Sequence, residues 1–314
     1  MSSNPKEKFK SKIGGQALIE GVMMRGIDKI AMACRLPSGE IDVEVEDIKD
    51  GKNPPWYRKL PVVRGSVNFV CSLKDGYKYL TKSAEKQGDF EDEELSPFEQ
   101  KLVKLFGDKL MTVISGFSVI LGIGLSLVLF MFLPMLVTKW ISPVLPGDFL
   151  KALVEGLIKI ALFISYLGAV ARMKDIQRTY EYHGAEHKTI ACYEAGEELT
   201  VENVRKFTRF HPRCGTSFLI IVFIIGILVF SVVTWKTLLL RIVIKLALLP
   251  VVCGIAYELI RLAGRYNNPA TRFISAPGLA LQRLTTREPT DAQIECAIAA
   301  LKPCIPEDQA VDRW

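Results

Sequence analysis

The chain has 314 residues, of which 49% are hydrophobic and 24% are charged, and its mean hydropathy is +0.23. Apolar stretches must therefore alternate with strongly polar ones, as in a polytopic membrane protein with soluble parts. The net charge of +6 fits the anionic cytoplasmic side of a membrane and does not indicate nucleic acid as a partner.

The N-terminal segment, residues 1–110, is predicted to form a small cytoplasmic α+β domain. Residues 1–12 are polar and basic, so a cleaved export signal is not expected. Four glycines within residues 14–26 indicate backbone in unusual conformations or in close contact with another segment. Nucleotide binding is a poor interpretation, because no phosphate-loop lysine follows. Two interpretations stay open: a turn motif packed against the membrane domain, or a site that uses Glu20 or Arg25.

A β-hairpin and a helix are predicted after the glycines. Acidic and β-branched residues alternate over residues 40–46, which predicts a half-buried strand. Residues 30–36 supply its hairpin partner, because residues 37–39 can form the turn. Apolar residues recur at helical spacing over residues 61–87, so a helix is predicted to cover the hairpin. The acidic run at residues 91–94 predicts a solvated linker.

Four later stretches are long enough to cross a hydrocarbon core, which needs about 20 mostly apolar residues. They predict a four-helix transmembrane bundle within residues 111–258, with spans at residues 111–136, 149–171, 215–234 and 237–257.

Two of the predicted spans contain charged side chains, which are costly when they face lipid. The second span carries Lys151, Glu155 and Lys159 on one helix face, and the fourth carries Arg241 and Lys245. We expect Glu155 to pair with Lys245 or Arg241 inside the bundle. Structural ion pairing is favoured over a transport pathway, since a pathway usually needs more than one such cluster.

The distribution of Lys and Arg predicts the orientation of the bundle. Lys and Arg cluster before the first span, between the second and third spans, and after the fourth, whereas the other two connections contribute only Lys139 and Lys236. Both termini and the segment 172–214 are therefore expected in the cytoplasm. Six of the seven cysteines fall in these regions or at their membrane border, so disulfides are not expected.

Residues 259–314 are predicted to form a cytoplasmic C-terminal tail. Residues 277–284 carry an apolar set that suits the membrane interface. Thr290 and Gln293 have the spacing of a capping box, so a short amphipathic helix is predicted to follow. The predicted fold is thus mainly α, with a four-helix transmembrane bundle, a small α+β N-terminal cytoplasmic domain and a C-terminal amphipathic helical tail.

All three histidines lie within 29 positions of one another, beside the predicted spans. On a helix, His183 and His187 share a face, and Glu186 projects beside them. Their order matches the His-x-x-Glu-His pattern of inverted zinc peptidases, in which the histidines bind metal and the glutamate is the catalytic base. The pattern is short, and the wider context of those peptidases is absent. Gly184 costs a helix about 1 kcal/mol relative to alanine, which indicates close approach of substrate or another backbone, or tight helix packing.

Further candidate ligands are expected at the same cytoplasmic level of the membrane. Imidazole, thiolate and carboxylate groups are the usual zinc ligands. A divalent metal, with zinc favoured, is therefore predicted at His183, His187, His211, Cys214 and Glu258. Three protein ligands with an open position would make the site catalytic. The alternative is an amphipathic membrane-surface helix whose His and Glu side chains only hydrogen-bond neighbouring loops.

Five stretches, in order along the chain, look familiar as a set. They are the glycine-rich stretch, Pro-Val-Val-Arg-Gly, His-Gly-Ala-Glu-His-Lys, His-Pro-Arg-Cys-Gly-Thr-Ser-Phe and the tail motif, at residues 14–26, 61–65, 183–188, 211–218 and 276–289. Together they resemble the YqhQ-like family of bacterial membrane proteins, a domain of unknown function. The resemblance covers nearly the whole chain. It implies a bacterial inner-membrane protein and a metal-dependent enzyme, without a substrate or a reaction.

Two classes of function follow, both with the lipid bilayer as a partner. The first is a metal-dependent hydrolase at the cytoplasmic membrane face, acting on a membrane peptide or a lipid-linked substrate with Glu186 as proton acceptor. The alternative is a non-enzymatic scaffold or assembly factor that binds partner membrane proteins through polar groups such as Lys159, Arg241 and Lys245. A transporter ranks third.

Overall fold

The computed structural model describes residues 8–48, 55–88, 110–231, 238–266, 268–308 and 310–313. Within these residues the chain is mainly helical and carries one four-stranded antiparallel sheet near its N-terminus. The mainly α fold class is confirmed at this level. The predicted acidic linker at residues 91–94 lies outside the described residues.

The sheet is a meander in which each strand pairs with the next along the chain. Its strands are β1 (Gly14–Leu18), β2 (Gly21–Arg25), β3 (Lys29–Arg35) and β4 (Ile41–Asp47). The predicted hairpin is confirmed as β3 and β4, with Cys34 opposite Asp42. Its turn contains Gly39 at a φ of 89°, a conformation that suits glycine.

The glycine-rich stretch forms a second hairpin, β1 with β2, where the sequence predicted only a turn motif. Leu18 pairs with Gly21 across the turn. Gly21 is required by close packing, because a Cβ there would lie 2.5 Å from the carbonyl oxygen of Ala33. The glycines thus allow strands to approach one another closely.

The remaining helices follow in chain order. They are α1 (Val63–Lys86), α2 (Leu110–Leu127), α3 (Leu133–Ile141), α4 (Gly147–Val170), α5 (Lys174–Glu194), α6 (Val201–Arg205), α7 (Gly215–Ser231), α8 (Leu238–Arg265), α9 (Pro269–Thr285) and α10 (Asp291–Leu301). Helix α1 confirms the helix predicted over residues 61–87.

Three helical stretches are long and apolar enough to cross a membrane: Gly116–Val144, Gly147–Val170 and Ile242–Arg265. The first joins α2 and α3 through a π-helical segment, Val128–Phe132. Helix α7 is also apolar but has 17 residues in the described part of the chain, fewer than the about 20 that a span needs. Of the four predicted spans, three are therefore confirmed, and the predicted end of the third, residue 234, lies outside the described residues.

A buried ion cluster joins α4 and α8. One carboxylate oxygen of Glu155 accepts hydrogen bonds from Lys245 at 2.6 Å and from Lys159 at 2.8 Å. Glu155 is only 2% exposed. The predicted pairing of Glu155 with Lys245 is thus confirmed, and the side chain of Arg241 lies outside what the structure describes.

The sheet, the histidine-bearing helix and the C-terminal helix share one hydrophobic core. We call β1–β4, α5, α6 and α10 together the extramembrane unit. Its core contains residues from each part, among them Val22 and Ala33 from the sheet, Tyr182 and Ile190 from α5, and Ile294 and Leu301 from α10. Helix α10 begins as the capping box predicts, with the Thr290 amide donating to Oε1 of Gln293 at 2.8 Å. It does not end a separate tail, because it packs inside this core.

Candidate metal centre

Helix α5 presents His183, Glu186 and His187 on one face, as their spacing predicts. Cys214 lies directly before α7, and its sulfur is 3.2 Å from Nε2 of His183. Ligand atoms of His183, His187 and Cys214 all lie within 4.8 Å of one another. Among the described residues, these three form the group of side chains that is close enough to share a metal ion.

Backbone carbonyls orient both histidine rings. Nδ1 of His183 is 2.8 Å from the Thr285 carbonyl oxygen, and Nδ1 of His187 is 2.6 Å from that of Arg209. Because a carbonyl oxygen only accepts hydrogen bonds, each Nδ1 carries a proton and donates it. Nε2 of each ring is then the atom available to a metal. Metal-binding histidines generally donate their other N–H to a carbonyl or carboxylate in this way.

The cluster favours the ionised form of the thiol. Burial acts to raise the pKa of Cys214, but the adjacent His183 and His187 rings outweigh it and hold that pKa well below its usual value. Burial would lower the pKa of His183, yet the neighbouring Cys214 sulfur raises it to about 9. These opposite directions describe one coupled pair, a negative sulfur beside a positive ring. A metal cation fits this position because it can replace the proton on Nε2 and bind the thiolate.

Glu186 lies beside the ligand group. One of its carboxylate oxygens is 3.8 Å from Nε2 of His183, and the residue is 4% exposed. Burial raises the pKa of this carboxyl, while the two histidines and the Gly15 backbone amide act in the opposite direction. A buried carboxylate with a raised pKa is suited to accept a proton from a reacting group.

Two glycines let other segments approach the site. A Cβ at Gly184 would lie 2.0 Å from the carbonyl oxygen of Arg287, whose amide in turn donates to the Tyr180 carbonyl at 2.9 Å. A Cβ at Gly15 in β1 would lie 2.8 Å from Cγ of Glu186. Gly184 thus marks the close approach of another backbone, one of the readings that its sequence position left open. The same approach of the 285–289 segment positions the carbonyl that orients His183.

The structure does not bring His211 or Glu258 into the group of three. His211 is buried, and its Nε2 lies 3.6 Å from Glu194 and 3.2 Å from Arg213. Burial lowers the pKa of His211 to about 4, so this ring is neutral beside the cluster. Glu258 has the expected depth, but its carboxylate accepts a hydrogen bond from Arg64 of α1 at 2.6 Å.

The two N-terminal candidates also form ion pairs elsewhere. Glu20 accepts a hydrogen bond at 2.6 Å from Arg178, near the start of α5. Arg25 pairs with Asp75 of α1. Both pairs tie the β1–β2 hairpin to helices, and neither residue lies in the ligand group.

Several residues that shape the site carried no signal in the sequence. Glu194 and Arg213 form a buried ion pair next to His211. The buried side chain of Gln282 accepts a hydrogen bond from the His211 amide and donates to its carbonyl, at 2.8 and 2.7 Å. Glutamine and a backbone carbonyl such as that of Thr285 are too common to point to a site, so only the fold identifies them.

Comparisons with known proteins agree with the resemblance found in the motifs. The family model described as "Protein of unknown function (DUF1385)" matches residues 60–307, which include every residue of the candidate centre. The chain belongs to this family. It is also 35% identical over 296 residues to "Uncharacterized protein YqhQ" of Bacillus subtilis (strain 168), covering 93% of this chain and 92% of that protein. No solved structure matches the chain.

Proposed function

We propose that this protein is a metal-dependent hydrolase that works at the cytoplasmic face of a bacterial inner membrane. His183, His187 and Cys214 would hold a divalent metal, and zinc suits a set of two imidazoles and one thiolate. The observation that carries the proposal is the pair of carbonyl contacts, at 2.8 and 2.6 Å, that leave Nε2 of both histidines available beside the Cys214 sulfur. A histidine that served only to pack a helix would not need this arrangement twice.

The proposed chemistry divides between the metal and Glu186. A bound divalent metal supplies a Lewis acid and lowers the pKa of water. Glu186 accepts the proton of the attacking water at its carboxylate and can return it to the leaving group. Its burial supports this role, because a raised pKa allows the carboxyl both to take up and to release a proton near neutral pH.

The membrane placement supports a substrate that is held at the bilayer. Apolar helix α7 starts one residue after Cys214, so the proposed centre lies where the chain enters an apolar helix. We propose four spans, with both termini and residues 172–214 in the cytoplasm, because Lys and Arg cluster on that side. A membrane peptide or a lipid-linked molecule would reach such a centre most directly.

The metal content of the purified, chelator-untreated protein tests the proposal. We expect about one equivalent of a transition metal in the wild type, in line with a three-ligand site. His183→Ala, His187→Ala and Cys214→Ser should each lose the metal, whereas Glu186→Gln should retain it and lose hydrolytic activity. Cys71→Ser is the matched control, because this half-buried thiol lies on α1, away from the group.

Either of two results would refute the proposal. Wild-type protein without a stoichiometric metal would favour the scaffold function instead. Loss of metal in Cys71→Ser to the same extent as in Cys214→Ser would show that the metal is bound non-specifically.

A further inference from the structure

Helix α1 joins the membrane helices to the extramembrane unit. Its C-terminal half packs on the sheet, where Tyr79 is buried and Lys82 donates a hydrogen bond to Glu44 at 2.8 Å. Gly76 meets β1 so closely that a Cβ there would lie 2.7 Å from Oε1 of Gln16. This half of α1 therefore belongs to the same body as the candidate metal centre.

The N-terminal half of α1 packs against the span Ile242–Arg265. A Cβ at Gly65 would lie 2.9 Å from the Cα of Gly254, and the Ser66 hydroxyl donates to the Pro250 carbonyl at 2.5 Å. Small residues at a crossing let two helices approach closely, as in membrane-embedded pairs. Both contacts on α8 lie inside the stretch that is apolar enough to cross the bilayer. The start of α1 must then lie at the depth of lipid.

A row of large apolar side chains on α1 and on the short helix before it contacts neither the sheet nor α8. Each side chain in the row is at least 40% exposed: Trp56, Leu60, Val63, Val70, Leu73, Tyr77 and Leu80. From Leu60 onward the row repeats at intervals of three, four or seven residues, so it forms one helical face. An apolar face of this length is unusual on a surface that contacts water.

We infer that this face is embedded in the cytoplasmic leaflet, so that α1 is an interfacial membrane helix rather than part of a soluble domain. The partner is the phospholipid bilayer, because the row continues directly from the contact with a span. Trp56 and Tyr57 stand at the end nearest that contact, and such side chains favour the boundary between headgroups and acyl chains. Exposed Lys59 and Lys74 border the row and suit anionic headgroups.

This placement changes what the N-terminal segment does. The sequence predicted a cytoplasmic domain joined to the bundle by a linker. An interfacial α1 instead fixes the sheet, and with it the Gly15 backbone that faces Glu186, against the membrane surface. The inference does not depend on metal binding, since it rests on α1 and its contacts alone.

Tryptophan quenching in vesicles tests the inference. Trp140→Phe, Trp235→Phe and Trp314→Phe leave Trp56 as the single tryptophan of the full chain. We would reconstitute this variant in phosphatidylcholine and phosphatidylglycerol vesicles whose acyl chains are brominated, and compare its fluorescence with that in unbrominated vesicles. We expect most of the Trp56 fluorescence to be lost to the bromolipid.

Two further variants mark the ends of the embedded face. In the same background, Trp56→Phe with Tyr77→Trp should also be quenched, whereas Trp56→Phe with Ser38→Trp, in the exposed β3–β4 turn, should not. Trp56 that is quenched by aqueous iodide and not by bromolipid would overturn the inference and point to water or a protein partner at this face. Quenching of Trp56 without quenching at position 77 would also overturn it, because the whole row would not be embedded.

Discussion

Glu194 shows how a single buried carboxylate can hold three segments together. It is 1% exposed, and it accepts hydrogen bonds from the Ser11 amide at 2.7 Å and from Arg213. Burial acts to raise its pKa, but His211 and Arg213 outweigh this and lower it to about 2. The charged form of Glu194 is therefore stabilised by the folded state.

Glu194→Gln should destabilise the protein, because it leaves Arg213 buried without its carboxylate. Breaking a buried pair in this way costs about 3–5 kcal/mol. Since the folded-state pKa lies below the ordinary value of 4.5, the contribution of Glu194 is complete above pH 4.5 and is lost as the pH falls toward 2. Thermal unfolding of wild type and variant across this range should show a gap that narrows with acid.

The matched control for Glu194 is Glu295→Gln. The Glu295 side chain is 51% exposed and pairs with Arg35 at 2.9 Å, so its removal should cost less than about 1 kcal/mol. Equal effects of the two substitutions, or a gap for Glu194→Gln that stays constant with pH, would contradict the assigned role.

Gly184→Ala should also destabilise the protein, although alanine is the better helix former. The added Cβ would meet a backbone oxygen at 2.0 Å, and overpacking of this kind costs about 1–3 kcal/mol. Gly168→Ala in α4 is the control, because a Cβ there meets nothing within 4 Å; we expect it to be neutral or stabilising by up to about 1 kcal/mol. A melting temperature for Gly184→Ala at or above that of Gly168→Ala would count against the close approach.

At the scale of helices, the cluster of Glu155, Lys159 and Lys245 couples α4 to α8. A charge inside an apolar bundle is tolerated when an opposite charge compensates it. One carboxylate oxygen serves both ammonium groups. The cluster therefore fixes the relative register of the two helices as well as their charge balance.

Glu155→Gln should cost about 3–5 kcal/mol, because both lysines lose the carboxylate that they contact. The exchange Glu155→Lys with Lys245→Glu should recover part of the loss, since it restores an opposite-charge contact between the helices. Asp148→Asn, at the exposed start of α4, is the control and should change stability by no more than about 1 kcal/mol. Thermal unfolding in lipid nanodiscs measures all three, and wild-type stability of Glu155→Gln would show that the cluster is not stabilising.

At the scale of the whole molecule, the proposed topology puts the extramembrane unit on one side of the membrane and the α3–α4 connection on the other. Val144, in that connection, is 79% exposed, and Glu202 of α6 is exposed on the unit. In intact cells, a membrane-impermeant maleimide should label Val144→Cys and spare Glu202→Cys. Glu202→Cys should react only after the cells are permeabilised, and the reverse pattern would overturn the orientation.

Local sequence determined the elements of this fold. The β3–β4 hairpin, helix α1, the capping box before α10 and the shared face of His183 and His187 all follow from residues a few positions apart, because helical and strand periodicities act at that range. The pairing of Glu155 with Lys245 was also predictable, since few charges are present in the predicted spans to compensate one another.

Tertiary structure decided which of the candidate ligands meet. His211 and Cys214 are three positions apart, yet the sulfur contacts His183 while the His211 ring turns toward Glu194. Glu258 was expected at the right depth, but Arg64, 194 positions away in the chain, takes its carboxylate. The carbonyls that orient both rings belong to segments whose approach depends on how distant parts of the chain pack. The sequence by itself could name the chemistry of this site, whereas the packing of the sheet, α5 and α10 into one core selected its members.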